Sequence, residues 1–246
     1  MIFNLFFLFS NVETNKYKLK DLFDIRQGKL ILNSEANNKT ISLDNKNQKK
    51  EVLDSIDVLT LNSVNWELST IKSESLFSIP TPKTTPQSLT NNDYIINRVG
   101  LTKGCSLLES DFDFDNHQVM PSHHFLVCSP RKIILDKLPF FHAVLEIYLN
   151  DLITKKIASE TSEKKPLDLD KKALKQKITY VTVKEIQNIE VEIPGENFDL
   201  LVSQYDQYYN MYAASYKNFM VSKKSLNNHK SELSKFLNKE FDRDKK

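Results

Sequence analysis

The sequence predicts an α+β fold, in which a globular domain of mixed short strands and helices is followed by one long C-terminal helix. Three observations predict it: short runs of β-branched and aromatic residues, an internal stretch with helical spacing, and a stretch at 198–246 without proline or glycine. The 246 residues, 40% hydrophobic and 27% charged, suffice for one domain with an appendage. We therefore expect a globular domain over residues 1–195 and a long helix over residues 196–246.

The globular part contains strand-like runs bounded by loop-forming residues. These runs occupy residues 58–61, 94–99, 125–128, 178–183 and 189–193, and the last run ends at Pro194-Gly195. Residues 79–89 carry three prolines and therefore exclude a central strand or a helix there. The alternating character of the last two runs indicates strands that are buried on one face.

One helix is expected inside the globular part. Apolar residues recur at roughly helical spacing at Phe140, Val144, Ile147, Tyr148 and Ile153, which predicts an amphipathic helix over 140–153. The stretch 154–177 that follows is polar and rich in lysine, and it predicts a loop.

The glycine content, the net charge and the cysteine spacing exclude or disfavour several classes of protein. Only four glycines occur, without a G-x-G-x-x-G or a G-x-x-x-x-G-K-[ST] motif, so Rossmann and P-loop chemistry have no support. The formal net charge of +2 indicates no strong basic field, although a local basic stripe remains compatible with it. Cys105 and Cys128 form no C-x-x-C pair, which is typical of a reduced, cytoplasmic protein.

The first nine residues are apolar but lack the features of a targeting segment. They have no basic n-region and no small-x-small cleavage site, and they are far shorter than the ~20 residues that a membrane helix needs. We expect a buried strand or helix at residues 1–9 and no association with a membrane.

Acidic residues and histidines occur without the spacing of a metal or catalytic site. The run 111–117 would align three carboxylates and His117 on one face of a strand, but Asn116 and Ser122 stand where an EF-hand needs Gly and Glu. A solvated face with Phe112 and Phe114 turned inward is the favoured interpretation. His123-His124 and the two thiols lack zinc-site spacing, and no G-x-S-x-G motif is present. The sequence indicates no metal and no catalytic residue.

Basic and amide side chains lie instead on loops next to predicted strands. Such side chains read base edges and hold phosphates, whereas any one of them alone could be an ordinary surface residue. Two of the four arginines stand close to glycines, where a backbone can approach a ligand. The candidate DNA-binding residues are Arg26, Gln27, Lys29, Arg98, Lys103 and His123, with Lys155 and Lys156 on phosphates.

The last stretch carries a heptad pattern. Tyr205, Tyr212, Phe219, Leu226 and Leu233 fall at seven-residue intervals, and the positions between them at spacings of three and four are Leu201, Tyr208, Ser215, Ser222, His229 and Phe236. Such a seam predicts a coiled coil. At ~1.5 Å per residue the helix would reach about 70 Å, more than one globular domain can cover. We expect a partner helix on Leu201, Tyr205, Tyr208, Tyr212, Phe219, Leu226, Leu233 and Phe236.

Five short motifs follow one another along residues 17–246. They are an apolar segment into a glycine loop (18–29), an acidic-apolar run into Arg98 and Gly100 (93–100), a proline loop with a strand (120–127), a helix that ends near Tyr148-Leu149, and an alternating run ended by Pro194 (189–194). This order resembles the target-recognition half of the specificity (S) subunit of type I restriction–modification systems. Two departures are the lack of glycine at 158–161, and the single recognition domain and single spacer helix where a full S subunit has two of each. The chain resembles a half-subunit.

The resemblance implies a DNA-recognition subunit without catalytic activity, acting in a methyltransferase-based phage-defence system. The implied partners are double-stranded DNA and DNA methyltransferase subunits, with or without a restriction or translocase subunit. S-adenosylmethionine is expected in the methyltransferase, and no cofactor is expected in this chain. An antiparallel homodimer through the C-terminal helix implies a bipartite palindromic target, whereas pairing with a different half-subunit implies a non-palindromic one. A competing hypothesis is a coiled-coil adaptor or anti-defence decoy that binds a methyltransferase without reading DNA.

Overall fold

The computed structural model describes residues 14–30, 55–66, 69–81, 87–99, 103–108, 110–162, 180–195 and 198–243. The chain divides into two compact units, Met1–Phe198 and Asp199–Lys246. Among the described residues, the first contains mixed strands and helices, and the second consists of a long helix. The predicted α+β class with a long C-terminal helix is confirmed. The functions assigned to residues 1–195 and 196–246 stay predictions, and the apolar residues 1–9 lie outside the described residues.

The secondary structure of the described residues consists of short strands, four α-helices and three 3₁₀ helices, the last at Leu61–Ser63, Ser73–Ser75 and Lys132–Lys137. The strands are β1 (Thr14–Lys18), β2 (Phe23–Gln27), β3 (Ser55–Leu59), β4 (Val64–Asn65), β5 (Thr70–Ile71), β6 (Phe77–Pro80), β7 (Tyr94–Asn97), β8 (Gly104–Ser106), β9 (Val119–Pro121), β10 (Phe125–Pro130) and β11 (Glu190–Pro194). The helices are α1 (Leu19–Leu22), α2 (Leu138–Ser162), α3 (Val183–Gln187) and α4 (Phe198–Arg243).

Two sheets form most of the globular unit. The larger has the order β2-β10-β7-β8 and is antiparallel throughout. The smaller has the order β6-β3-β9, with β6 antiparallel and β9 parallel to β3. Strands β1 and β11 form a separate antiparallel pair, as do β4 and β5. Because β6 lies at an edge, Pro80 at its end interrupts no ladder inside a sheet.

The central strands of the larger sheet are buried on both faces. Ile95 and Val127 face a core cluster to which the smaller sheet contributes Leu59 and Val119. On the opposite face, the Tyr94 ring contacts His142 of α2. Residues 94–96 and 125–128 are therefore continuous apolar runs, because a strand covered on both sides does not alternate with polar residues.

Helix α2 is longer than the sequence predicts. Its buried side chains recur every three or four residues at Leu138, Phe141, Leu145 and Leu149, so one face packs inward. The prediction of a loop from residue 154 is wrong as far as Ser162, because the helix continues to that residue. Residues 154–162 contain no proline or glycine that would end it. Residues 163–177 lie outside the described residues.

The predicted strand at 178–183 is also wrong in its described part. Tyr180 makes only an isolated antiparallel bridge, to Val99. Thr182 then caps α3: its Oγ1 accepts from the Glu185 amide at 3.3 Å, and Glu185 Oε2 accepts from the Thr182 amide at 2.8 Å. This capping box is the T-x-x-E sequence signature of a helix start, and it outweighs the β-branched composition of the run.

The acidic run 111–117 forms turns. The Asp113 carboxylate accepts hydrogen bonds from the amide and the side-chain nitrogen of Asn116, at 3.2 and 2.7 Å. Phe112 and Phe114 pack against the core cluster, as expected from the sequence. Among the described residues, no group of three or more His, Cys, Asp or Glu side chains could hold a metal ion. No described helix is long and apolar enough to cross a membrane.

Four of the predicted seam residues in the second unit are exposed to solvent. The exposed fractions of Tyr208, Tyr212, Phe219 and Leu226 lie between 52% and 68%. Four tyrosine rings follow one another along the helix at positions 205, 209, 212 and 216, with successive centroids 6.2–6.4 Å apart. The helix has 46 residues, about 70 Å at ~1.5 Å per residue. The side chains of Leu233 and Phe236 lie outside those described, and the coiled coil stays a prediction.

Candidate nucleic-acid interface

One end of the larger sheet gathers most of the predicted DNA-binding residues. The register pairs Gln27 with Leu126, Phe125 with Asn97, and Ile96 with Gly104. Because neighbouring strands are antiparallel, the last residues of β2 and β7 lie beside the first residues of β10 and β8, all at the same end of the sheet along the strand direction. We call this the strand-end surface, and it consists of residues 27–29, 97–99, 103–104 and 122–124.

Gly28 allows the chain after β2 to cross the turn before β10 closely. Its amide donates to the Phe125 carbonyl at 3.0 Å, and the Lys29 amide donates to the Pro121 carbonyl at 2.9 Å. A Cβ atom on Gly28 would lie only 2.1 Å from the Ser122 carbonyl oxygen. Glycine is therefore required here by the close approach of two backbones. The Gln27 side chain adds a hydrogen bond from Nε2 to the His123 carbonyl at 3.2 Å.

The backbone of Arg98 is held from both sides. Its amide donates to the His124 carbonyl at 3.0 Å, and its carbonyl accepts from the Val181 amide at 3.2 Å. The neighbouring bridge between Val99 and Tyr180 brings an aromatic ring, 48% exposed, beside the surface. The sequence reasoning missed Tyr180 because it assigned the residue to a strand.

The cationic side chains of the strand-end surface are not neutralised within the described part of the chain. Lys29, Arg98 and Lys103 make no side-chain hydrogen bond or ion pair with the described residues. Arg98 Nε and His124 Nδ1 are shielded from solvent and likewise have no hydrogen-bond partner there. An unsatisfied shielded donor such as Arg98 Nε costs about 1–3 kcal/mol, whereas His124 Nδ1 is a donor only when it carries a proton.

Two adjacent imidazoles complete the surface. The rings of His123 and His124 have centroids 3.8 Å apart and are inclined by 40°. Burial lowers the pKa of His124, and the positive charges of His123 and Arg98 lower it further. The sequence indicated His123 as a contact but not His124, although the two residues share one turn.

Arg26 belongs to a different cluster, which faces the interior. Its Nη1 donates to Ser129 Oγ at 2.6 Å and its Nη2 to the Ser88 carbonyl at 3.2 Å, while Asp93 Oδ2 lies 4.0 Å from Nη2. Asp93 is 1% exposed and also accepts from Ser129 Oγ at 2.6 Å and from the Thr90 amide at 2.9 Å. Burial raises the pKa of Asp93, and its hydrogen bonds and Arg26 offset part of this rise. These contacts give Arg26 a structural role, and its contact with DNA stays a prediction.

The two lysines predicted to hold phosphates lie on α2 and not on the strand ends that form the strand-end surface. Lys155 pairs with Asp151 one helical turn away at 2.6 Å. Lys156 pairs with Glu185 at 2.6 Å and donates to the Tyr180 carbonyl. Lys156 therefore ties α2 to the residues before α3, and its charge is already compensated.

Ser106 and His142 form a buried serine–histidine pair whose surroundings indicate a role in core packing. Ser106 Oγ lies 2.8 Å from His142 Nδ1, and the imidazole contacts the rings of Phe23 and Tyr94. Burial lowers the pKa of His142 to about 4, so the ring is neutral at physiological pH. Because only 3% of His142 is exposed, we assign the pair to the core beneath α2.

Comparisons with known proteins gave matches among solved structures. No protein-family model matches the chain, and no curated protein matches it. One similar structure is the S subunit of a type I restriction–modification system from M. genitalium, at 13% identity, a TM-score of 0.42, and coverage of 92% of this chain and 50% of that one. Another comes from work on complex assembly and conformational transition of the type I R-M system, at 15% identity, a TM-score of 0.40, and coverage of 88% and 45%. The chain spans about half the length of these structures.

Proposed function

We propose that the chain is a half-size DNA-recognition subunit of a type I-like restriction–modification or related methyltransferase-based defence system, without catalytic activity of its own. The observation that carries this proposal is the strand-end surface. There, Gln27, Lys29, Arg98, Lys103 and His123 converge from four strands, and the three permanent cations have no counter-charge among the described residues. The motif order of residues 17–246, which resembles an S-subunit half, supports this class of complex.

The arrangement suits duplex DNA for chemical reasons. Lysine ammonium groups bind phosphates without regard to sequence, whereas the forked guanidinium of Arg98 and the amide of Gln27 match the acceptor and donor patterns of base edges. The backbone under these side chains is fixed by strand register and by Gly28, so little further ordering is needed on binding. Lysines at the rim and an arginine between them therefore give both affinity and sequence choice.

The proposal extends to the partners of the chain. Methyltransferase subunits would bind it and would carry the S-adenosylmethionine, and a restriction or translocase subunit is compatible with the same complex. Helix α4 would pair antiparallel with the α4 helix of a second copy, which would cover the exposed Tyr208, Tyr212, Phe219 and Leu226. Since a two-fold dimer presents identical surfaces, its target would be an interrupted palindrome. Pairing with a different half-subunit would give a non-palindromic target.

The DNA-recognition role is tested by electrophoretic mobility shift of duplex DNA with the chain alone and with its methyltransferase. We expect a shift that weakens steeply as salt rises, because bound lysines and arginines release counterions. The absence of duplex binding in every combination would exclude DNA recognition. Methyltransferase binding without DNA binding would instead favour the adaptor or decoy, for which the exposed apolar face of α4 would serve equally well.

The dimer is tested by sedimentation of the purified chain. We expect a species of twice the 28.6 kDa chain mass. Leu226→Asp should shift it towards the monomer, whereas the equally exposed Val221→Asp, which lies off the heptad seam, should leave the dimer in place. A wild-type chain that stays monomeric, with and without its methyltransferase, would contradict pairing through α4.

A further inference from the structure

The turn between β9 and β10 places His124 in a defined position next to Arg98. The carbonyl of His124 accepts from the Arg98 amide at 3.0 Å, and the Phe125 amide closes the turn by donating to the Ser122 carbonyl at 3.0 Å. The His123 ring lies against the His124 ring, and both remain partly exposed. His124 therefore lies between a permanent cation and a second imidazole at the strand-end surface.

The groups around His124 disfavour a proton on its ring. Arg98 faces it from the end of β7, His123 from its own turn, and Lys29 is bridged to Ser122 from the β2 side. Burial and the two nearest positive charges lower the pKa of His124. Its Nδ1 and the Nε of Arg98 have no partner within the described part of the chain. What would complete this cluster is an anion with acceptor oxygens.

We infer that His124 belongs to the DNA-binding surface and takes up a proton when a phosphate of the duplex binds beside Arg98. This inference rests on the proposed function. A phosphate oxygen accepts from the guanidinium and from the imidazolium, and its negative charge offsets the repulsion among the cations. Binding then raises the pKa of His124, so DNA affinity increases as the pH falls through the interval between the free and the bound pKa. Above both values the affinity no longer depends on this group.

The linkage is tested by fluorescence anisotropy with a mixed-sequence duplex at constant salt, between about pH 5.5 and pH 8. The sample is the full chain, alone or with its methyltransferase, in the form that binds duplex DNA. We expect the DNA affinity to be higher at the acid end of this range than at the alkaline end. The total increase is about tenfold for each pKa unit by which DNA binding raises the pKa of His124. His124→Gln should lose most of this increase. His117→Gln, which removes an exposed histidine from the turn at 113–117, should retain it.

The position of the proton is read directly by NMR titration of the His124 ring. Duplex DNA should raise its pKa, and inorganic phosphate at the same phosphate concentration should raise it less. An equal response to inorganic phosphate would overturn the assignment to DNA. A His124→Gln variant that binds DNA with the wild-type pH dependence would overturn this inference and leave the DNA-recognition role intact. Failure of the wild-type protein to bind duplex at any pH would overturn both.

Discussion

Two arginines of the globular unit, Arg26 on β2 and Arg98 just after β7, have opposite chemical surroundings. Arg26 on β2 is surrounded by acceptors from Ser88, Asp93 and Ser129, and its guanidinium is mostly buried. Arg98, just after β7, has its backbone held on both sides, but its side chain finds no acceptor among the described residues. Both arginines have a glycine nearby, so neither the residue type nor the glycine distinguishes them. What distinguishes a structural arginine from a candidate ligand-binding one is whether neighbouring acceptors neutralise its guanidinium.

The largest expected effect comes from breaking the Arg26 cluster. Asp93→Ala removes the acceptor for Ser129 Oγ and the Thr90 amide and leaves Arg26 without its carboxylate. We expect the free energy of unfolding to fall by about 3–4 kcal/mol, since removing one member of a buried pair leaves the other uncompensated. Urea denaturation measures this. Asp111→Ala, at an exposed position, should change stability by less than about 0.5 kcal/mol. Equal effects of the two substitutions would contradict a structural role for the Arg26 cluster.

The second largest effect is the dependence of stability on pH that the buried His142 causes in the globular unit. The pKa of His142 is about 4 in the folded protein and 6.5 when unperturbed. Between these two values the folded state binds fewer protons than the unfolded state. The contribution of neutral His142 to the free energy of unfolding is therefore fully present above pH 6.5 and is lost as the pH falls towards 4. We expect a loss of about 3 kcal/mol over this interval from His142. Because the raised pKa values of Asp93 and Glu146 act in the opposite direction, the measurement compares wild type with His142→Gln at each pH. Parallel pH profiles would contradict the prediction.

At the strand-end surface, Arg98→Ala should change recognition and not stability. If Arg98 makes a bidentate contact to guanine, the loss is about 1–3 kcal/mol of discrimination at one base pair. Sequencing of the modified bases in cells that carry the system measures it, and it would also reveal the target sequence. Arg26→Ala provides the contrast, since it should lower stability first. A methylation pattern unchanged by Arg98→Ala removes Arg98 from the base-contacting residues.

The smallest effect is expected from the two lysines at the rim of the surface. Lys29→Ala with Lys103→Ala should weaken DNA binding uniformly across sequences and lower the salt slope by about one for each phosphate that the variant no longer neutralises. The matched control is Lys20→Ala with Lys132→Ala, because these exposed lysines flank β2 and β10 at the other end of the same sheet. The same slope for both double variants would argue against phosphate binding at the strand-end surface.

The sequence predicted the elements that depend on local pattern. The runs around β3, β7, β10 and β11 have the β-branched and apolar composition of strands, and the heptad stretch without glycine or proline predicted α4. The failures at 154–162 and 178–183 have local causes: a polar stretch without breakers continued a helix, and a capping box at Thr182 started another.

The composition of the candidate site depends on contacts between distant residues. Arg26 and Arg98 look alike in the sequence, because both are followed by a glycine within two residues. Only the register of β2, β7 and β10 brings Ser129 and Asp93 to Arg26 and places His124 beside Arg98. The positions of His124 and Tyr180 likewise depend on backbone pairing between distant residues, for which a single sequence carries no direct signal.

The pairing of β1 with β11 has a consequence for the order in which the protein folds during synthesis. Residues 14–18 emerge long before their hydrogen-bonding partners at 190–194, which follow only when most of the globular unit has been made. The strand β2 likewise waits for β10. Pairings so distant in the chain close slowly, whereas α4 needs only neighbours a few residues away. Strand β1 therefore waits for β11 during most of the synthesis of this unit, and the charged Lys16 and Lys18 discourage its pairing with other nascent chains.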